Sequence, residues 1–188
     1  MPPKVKYTKE QIANSAFELV RKEGMGALTA RSLASYVGTS TAPIFTAFKN
    51  IDEIKCCVKN MAVERYKNFF EKGIGEALPF KGTGMSYIRF AVEEPWLFKL
   101  LFMDYDVKDT VQGYHPGESE YSEKVLDTVR QNYGMDTENG KWLYNHLSVY
   151  THGLAVMFAN GNSMFSIEDA DRMLSEAYKA FSGKGKMQ

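Results

Sequence analysis

The sequence predicts an all-α protein: an N-terminal three-helix domain with a helix-turn-helix, joined by a long helix to a C-terminal helical domain. Three observations favour this fold class. Apolar residues recur at spacings of three and four along most of the chain, as they do on one face of a helix. Helix-capping patterns precede these stretches, and no segment needs to be a strand.

The first two helices are defined by their ends. Thr8 and Gln11 form a capping-box pattern that predicts a helix start, and Gly24 stands where a C-terminal cap is wanted. A second, shorter helix is predicted to begin at Thr29. It ends at Gly38, where a residue without a Cβ suits a tight turn with positive φ.

The third and fourth helices follow closely. Ser40 is predicted to cap a short third helix that carries Pro43 in its first turn. Its packing face is predicted to be Ile44, Phe45 and Phe48. Asn50 caps a long fourth helix that continues to the glycines at 73 and 75. We place the domain boundary inside this helix, which gives domains at 5–60 and 61–188 with the helix-turn-helix at about 29–48.

The remainder of the chain predicts further helices. Residues 85–103 predict two helices broken at Glu94-Pro95, of which the second is almost wholly apolar. Residues 104–119 are acidic and rich in turn residues, so we expect a mobile loop there. Three more helices are predicted at 118–133, 137–160 and 167–181, and Ser166 begins a capping-box-like pattern before the last of them.

The composition is that of a folded protein, with 44% apolar and 24% charged residues in a chain of 188. The N-terminal stretch is polar and basic with no apolar region behind it, and no window is apolar enough to span a membrane. We therefore expect a cytoplasmic protein without membrane contact. The adjacent Cys56 and Cys57 are expected to be reduced, because neighbouring cysteines in one helix suit neither a usual disulfide nor a metal site.

Charge is distributed unevenly although the chain is neutral overall. The first 60 residues hold nine lysine and arginine residues and five acidic residues, which leaves +4 there and −4 in the remainder. A small basic segment on an acidic body is typical of a nucleic-acid-binding module attached to a domain with another task. A helix, a glycine turn and a second short helix within such a segment suit a major-groove reader, although helix pairs of this kind also occur as plain packing units.

The segment from Thr8 to Ile54 resembles the DNA-binding domain of the tetracycline-repressor (TetR) family. The resemblance is carried by the runs 27–34 and 38–40 and by Ile44, Phe45 and Phe48. Residues 87–98 resemble a stretch found in some branches of that family. The resemblance implies a bacterial transcriptional regulator, usually a repressor, that binds a palindromic double-stranded DNA operator as a homodimer and is released by a small-molecule ligand.

The same resemblance implies the DNA-binding residues. They are Thr29, Arg31, Thr39, Ser40, Thr41, Ala42, Phe45, Thr46, Lys49, Asn50 and Lys55. Arg31 would meet a guanine or a phosphate, or is a solvated surface charge. Phe45 and Phe48 are interpreted as core residues in preference to DNA-contacting residues. Three positions depart from the family: Phe45 replaces a tyrosine, Ala47 a histidine and Ile51 a lysine, so Lys49, Lys55 and the amides near Asn50 are expected to supply the phosphate contacts.

The C-terminal domain is rich in aromatic residues and methionines, which commonly line apolar ligand pockets but also form plain core. The family resemblance favours a mostly apolar or aromatic effector. The candidate ligand-binding residues are Trp96, Phe98, Phe102, Trp142, His146, Tyr150 and Met157. His146, His152 or a tyrosine would be its polar handle. The two histidines are six positions apart and do not share a helix face, so a metal site is not expected.

The last two predicted helices are the candidate dimer surface. Apolar and small residues recur along them at helical spacing. The predicted interface residues are Tyr150, Leu154, Ala170, Met173, Leu174, Ala177, Tyr178 and Phe181. Burial of this stripe within the monomer is the alternative, and the two-fold interface of the resembled family favours the dimer.

An enzyme and a scaffold protein are the two alternatives to a DNA-binding regulator. No nucleophile motif, glycine-rich phosphate loop or metal-ligand spacing is present, so we expect no enzyme, no catalytic residue and no cofactor. The second alternative is an all-helical scaffold or partner-binding protein that has lost sequence-specific DNA binding. The departures at Phe45, Ala47 and Ile51 keep it open.

Overall fold

The computed structural model describes residues 7–103, 120–133 and 135–184. These residues form α-helices and one short 3₁₀ turn at Met25–Ala27, with no strand among them, so the predicted fold class is confirmed. In chain order the helices are α1 Lys9–Glu23, α2 Ala30–Val37, α3 Thr41–Ala47, α4 Ile51–Ile74, α5 Pro79–Glu93, α6 Pro95–Phe102, α7 Glu120–Tyr133, α8 Thr137–Ala159 and α9 Ile167–Lys184. The predicted mobile loop at 104–119 lies outside the described residues.

The predicted caps define the first helices. At α1 the Thr8 hydroxyl accepts from the Gln11 amide at 3.1 Å, while the Gln11 side chain accepts from the Thr8 amide at 2.9 Å. Thr29 and Ser32 form the same reciprocal pair at α2. Gly38 ends α2 with φ of 74°, a backbone conformation that costs glycine little and other residues more. The predicted starts of α1 and α2 and the end of α2 are confirmed.

The predicted start of the fifth helix is wrong. The sequence predicts a helix from residue 85, but α5 begins at Pro79 and includes two glycines. Proline fits the first turn, where its missing amide has no helical partner. Glycine is needed at position 82, because a Cβ there would collide with the carbonyl oxygen of Gly73 in α4. This close approach of two backbones, rather than helix propensity, explains the glycine.

The last helices agree with the prediction more closely. Helix α8 ends one residue earlier than predicted, and α9 continues to Lys184 rather than residue 181. At the start of α9, Ser166 and Asp169 form the predicted capping pair, with both amide-to-side-chain bonds at 3.1 Å. The described part of the chain has no helix with the length and apolar composition that a membrane crossing requires.

The chain forms two compact units. Among the described residues, the first contains 7–65 and 96–103, and the second contains 66–95, 120–133 and 135–184. Residues 96–103 thus group with the N-terminal helices, whereas the sequence analysis assigned them to the C-terminal domain. The first unit is built around the buried residues Ile12, Leu19, Val20, Leu33, Ile44, Phe48, Ile54, Val58, Leu97 and Phe98. The second is built around Ile88, Phe90, Leu143, Leu147, Leu154, Ala155, Ala170 and Leu174.

Candidate nucleic-acid interface

Helices α2 and α3 are joined by a three-residue turn, Gly38-Thr39-Ser40. The Gly38 amide bonds to the Ser35 carbonyl at 3.2 Å, and the Thr39 amide bonds to the Ala34 carbonyl at 2.9 Å. These bonds satisfy carbonyls that α2 leaves open at its end. The turn therefore fixes the direction in which α3 leaves α2. Ser40 stands at the N-cap, as predicted, but its side chain makes no capping bond.

Helix α3 has one buried face and one exposed face. Ile44 and Phe48 are buried in the core of the first unit, whereas Phe45 is 47% exposed. The prediction that Phe45 belongs to the packing face is therefore wrong. A helix of seven residues has room for few inward positions, and Ile44 and Phe48, four apart, occupy them. Phe45 lies on the exposed face with three other candidate residues, Thr41, Ala42 and Thr46.

A cluster of polar contacts fixes the junction between α3 and α4. The Asn50 side chain accepts from the Glu53 amide at 2.9 Å, which is the predicted cap. The Glu53 carboxylate accepts from the Lys49 amide at 2.7 Å and from the Lys9 ammonium at 2.6 Å. The bond from Lys9 holds the pKa of Glu53 below its ordinary value, and the same bond raises the pKa of Lys9. The role of Lys9 was not predicted, because Lys9 lies 44 positions from Glu53 in the chain.

Two exposed cations stand on either side of α3 in the chain. No acidic residue occurs between Glu23 and Asp52. Arg31 and Lys49 are exposed, and among the described residues neither forms an ion pair. Lys55 is half-buried and lies 3.7 Å from Asp52. Arg31 and Lys49 are therefore more available to a phosphate than Lys55.

Two other candidates have local structural roles. The Thr29 hydroxyl accepts from the Ser32 amide at 3.1 Å and so caps α2, although Thr29 is exposed. Thr39 is half-buried in the turn. Ala47 and Ile51, two of the departures from the family pattern, are half-buried as well.

The second unit contains a part-buried polar pair between α5 and α8. The Tyr87 hydroxyl lies 2.9 Å from His152 Nδ1. Burial raises the pKa of Tyr87, so its phenol stays protonated and can donate a hydrogen bond to the imidazole. Burial also lowers the pKa of His152, which favours the neutral ring as the acceptor. This polar contact lies among aromatic rings. The ring centroids of Tyr66 and Tyr87, for example, are 6.0 Å apart.

Two solved structures share the fold over nearly the whole chain. One is a proposed TetR-family transcriptional regulator from Rhodococcus sp., with 14% sequence identity and a TM-score of 0.66, matched over 93% of this chain and 98% of the other. The second is a member of the TetR family from Streptomyces coelicolor A3, with 12% identity and a TM-score of 0.54, matched over 93% and 98%. This chain has the TetR-family fold. No protein-family model and no curated protein matches the sequence, so the fold carries the likeness.

In this TetR fold the predicted effector residues are divided between the two units. Trp96, Phe98 and Phe102 lie in the first unit. There the Trp96 indole covers Gly24, and the buried Phe98 ring lies 5.1 Å from that of Phe102. The other four candidates lie on α8 in the second unit: Trp142, His146, Tyr150 and Met157.

Two of the α8 candidates form an exposed stack. The Trp142 and His146 rings are 3.9 Å apart, and both side chains are exposed. Phe181 of α9 lies beside them, with its ring centroid 6.2 Å from that of Trp142. Tyr150 and Met157 are half-buried. The three rings therefore form an aromatic cluster on the surface of the second unit.

Half of the predicted dimer residues are buried inside the single chain. Leu154, Ala170, Leu174 and Ala177 belong to the core of the second unit, so little of their side chains is exposed for contact with a second chain. The reason is the packing of α9: Leu174 lies so close to Gly84 of α5 that a Cβ on the glycine would be 2.8 Å from its methyl group. The other four, Tyr150, Met173, Tyr178 and Phe181, are half-buried.

An apolar surface is nevertheless exposed on this unit. Val149 of α8 is 76% exposed, and Met164, between α8 and α9, is 86% exposed. Trp142 lies seven positions before Val149, which is two helical turns. We refer to Trp142, His146, Val149 and Phe181 as the outer α8 face. Among the described residues, no cluster of His, Cys, Asp or Glu could hold a metal ion.

The Tyr87–His152 pair predicts a pH dependence of stability. Because burial lowers the pKa of His152 below its ordinary value of 6.5, the unfolded chain takes up a proton more readily than the folded one. Stability is therefore full above that value and falls as the pH drops below it. We expect His152→Gln to flatten the decrease in unfolding free energy between pH about 7.5 and about 5.5. Denaturant titration at both pH values measures it.

Asn145→Gln is the matched control, because Asn145 is an exposed residue of the same helix without an ionisable group, and we expect the pH slope of the wild type. Equal pH slopes in the wild type and in His152→Gln would contradict the role of burial at His152.

Proposed function

We propose that this protein is a DNA-binding transcriptional regulator that binds a palindromic operator as a homodimer. The observation that carries the proposal is the helix-turn-helix of the first unit. Helix α3 presents an exposed face of small and apolar side chains, and the exposed cations Arg31 and Lys49 lie at either side of it in the chain. A DNA duplex has charged phosphates and a wide major groove. It can therefore bind one exposed helix face that has basic residues beside it.

The TetR fold supports the way this surface would bind. The major groove is about 12 Å wide and admits one helix. Small residues such as Thr41 and Ala42 let α3 approach the base edges closely, while Arg31 and Lys49 reach outward to phosphates. The junction cluster around Glu53 keeps α3 and the start of α4 in fixed register. A rigid junction favours binding, because less conformational freedom is lost when the complex forms.

A gel shift against the DNA that flanks the gene for this protein tests the proposal. We expect a shift at moderate salt that survives an excess of unrelated duplex. If both DNAs compete equally at every salt concentration, the protein has no sequence-specific binding. The scaffold alternative would then replace the regulator.

Lys49→Ala is expected to weaken binding to all sequences alike. Lys49 closes α3, is exposed, and forms no ion pair among the described residues, so its ammonium is placed for a phosphate rather than a base. Loss of one phosphate contact should lower the magnitude of the salt slope of the affinity by about 0.9 per half-site. Fluorescence anisotropy with a labelled duplex at several salt concentrations measures the slope.

Lys141→Ala is the control for this prediction. Lys141 is also an exposed lysine, but it lies on α8 in the second unit. It should leave both affinity and salt slope unchanged. A Lys49→Ala variant with altered sequence preference and an unchanged slope would show that Lys49 reads a base.

The homodimer is proposed to form through the outer α8 face. Exposed apolar side chains such as Val149 and Trp142 favour burial against a partner. A second copy of the chain offers the same surface, and a two-fold axis pairs such surfaces with each other. The same axis relates two α3 helices, as a palindromic operator requires.

The second unit is proposed to bind a small, mostly apolar or aromatic effector that releases the protein from DNA, so the regulator acts as a repressor. The part-buried Tyr87–His152 pair supports this, because it places polar groups among aromatic rings. A hundredfold loss of operator affinity requires about 2.7 kcal/mol of preference for the released state. The coupling is reciprocal, so operator DNA must weaken effector binding by the same factor, which titration calorimetry with and without operator measures.

A further inference from the structure

We infer that α3 reads its half-site mainly through the methyl groups of thymine rather than through bidentate hydrogen bonds to base edges. The inference rests on the proposed function and specifies which groups of the operator DNA the protein recognises. The exposed face of α3 consists of Thr41, Ala42, Phe45 and Thr46. None of these is an arginine, lysine, asparagine or glutamine, the side chains that pair bidentately with guanine or adenine in the major groove.

The hydroxyl hydrogen of Thr46 is already used within the helix. Its Oγ1 donates to the Ala42 carbonyl at 2.9 Å. A hydroxyl that donates to the preceding turn has no hydrogen left for a base acceptor. The groups that Thr46 can still offer a base are its methyl group and the lone pairs of its oxygen.

Phe45 adds a large apolar surface to this face. A phenylalanine is usually buried, but Phe45 is 47% exposed while its neighbours Ile44 and Phe48 fill the core. It cannot turn inward without displacing them. Together with the methyl groups of Ala42 and Thr46, the ring makes an apolar centre on the surface of α3.

The charges around this centre favour DNA as its occupant. Arg31 and Lys49 are exposed, and no acidic residue occurs between Glu23 and Asp52 to repel phosphates. The C5-methyl of thymine is the apolar group on the base edges of the major groove. An apolar helix surface between cations therefore matches T·A pairs at the centre of the half-site. Any guanine contact is left to Arg31 at the edge.

The test uses the full-length protein and a library of duplexes with a random core. Selection identifies the bound sequence, and each selected thymine is then replaced singly by deoxyuridine, which keeps every hydrogen-bonding group and lacks the methyl. We expect T·A pairs at the centre of each half-site. Removing one contacted methyl should weaken binding roughly fourfold, the factor that burial of one such group supplies.

Variants of Thr46 separate the methyl from the hydroxyl. Thr46→Val keeps the methyl and removes the hydroxyl, whereas Thr46→Ser does the reverse. We expect Thr46→Val to keep the sensitivity to deoxyuridine at every thymine, and Thr46→Ser to lose sensitivity at one position. Phe45→Ala should also remove sensitivity at one or more thymines. It should fold normally, because about half of this side chain is exposed.

The outcomes distinguish the inference from the proposed function. A selected operator that tolerates deoxyuridine at every thymine would overturn methyl reading and leave sequence-specific binding intact. Loss of binding by Thr46→Val with retention by Thr46→Ser would overturn it as well. Failure to select any sequence would overturn the proposed function, and the inference with it.

Discussion

Gly24→Ala is expected to lower the free energy of unfolding of the first unit by about 3 kcal/mol. Gly24 joins α1 to the 3₁₀ turn with φ of 84° and ψ of 166°, a region that is nearly restricted to glycine. A Cβ at this position would also lie 2.7 Å from Cε3 of the Trp96 indole. Backbone strain and displacement of the indole therefore act in the same direction.

Displacement of Trp96 would also disturb α6. The Lys99 ammonium lies 4.7 Å from the centroid of the Trp96 ring, and α6 carries the buried side chains of Leu97 and Phe98. The indole can be moved from Gly24 only by changing its contact with Lys99 or the position of α6. This is why we expect the effect of the substitution to exceed the cost of the backbone alone.

Denaturant titration followed by tryptophan fluorescence measures this effect. The chain has two tryptophans, so a Trp142→Phe background leaves Trp96 as the reporter of the first unit. Gly26→Ala is the matched control, because no atom lies within 4 Å of its added Cβ. It should change stability by less than about 0.5 kcal/mol. Equal effects of the two substitutions would contradict the account of Gly24.

Val149→Asp is expected to convert the proposed dimer to a monomer and to weaken operator binding at least a hundredfold. Val149 is 76% exposed in the single chain, so the monomer should tolerate a carboxylate there. In a dimer formed through the outer α8 face, the same change would bury a charge without a partner on each subunit. A monomer holds one α3 helix and loses the contacts of the second half-site.

Sedimentation velocity and operator titration measure the two effects together. Val92→Asp is the control, since Val92 is also an exposed valine of the second unit, 41% exposed, but lies on α5. It should sediment as a dimer and bind the operator normally. A Val149→Asp protein that remains dimeric would exclude the outer α8 face as the interface.

The parts of the fold that depend on local sequence could be predicted. Thr8 and Gln11 cap α1 across three residues, and Gly38 ends α2 through its own backbone conformation. Such features need no knowledge of distant residues. Gly82 shows the opposite. A glycine is needed there because the backbone of Gly73 in another helix lies very close, so local sequence did not place Gly82 within α5.

The candidate sites show the same limit. The apolar stripe of α9 indicated that Ala170 and Leu174 are buried, but periodicity does not identify the partner, and the structure buries them within the chain. Phe45 was misassigned because Ile44 and Phe48 already fill the inward positions of a short helix. The bond from Lys9 to Glu53 joins α1 to α4 across 44 positions, so no local pattern could reveal it.

The central claim is that two α3 helices of one dimer read two half-sites, and hydroxyl-radical footprinting on the selected operator tests it most directly. The account predicts two protected segments related by two-fold symmetry, with centres about one DNA turn, roughly 34 Å, apart or slightly more. Protection should disappear from both segments together as the protein is diluted. One protected segment, or uniform protection along the duplex, would contradict the claim.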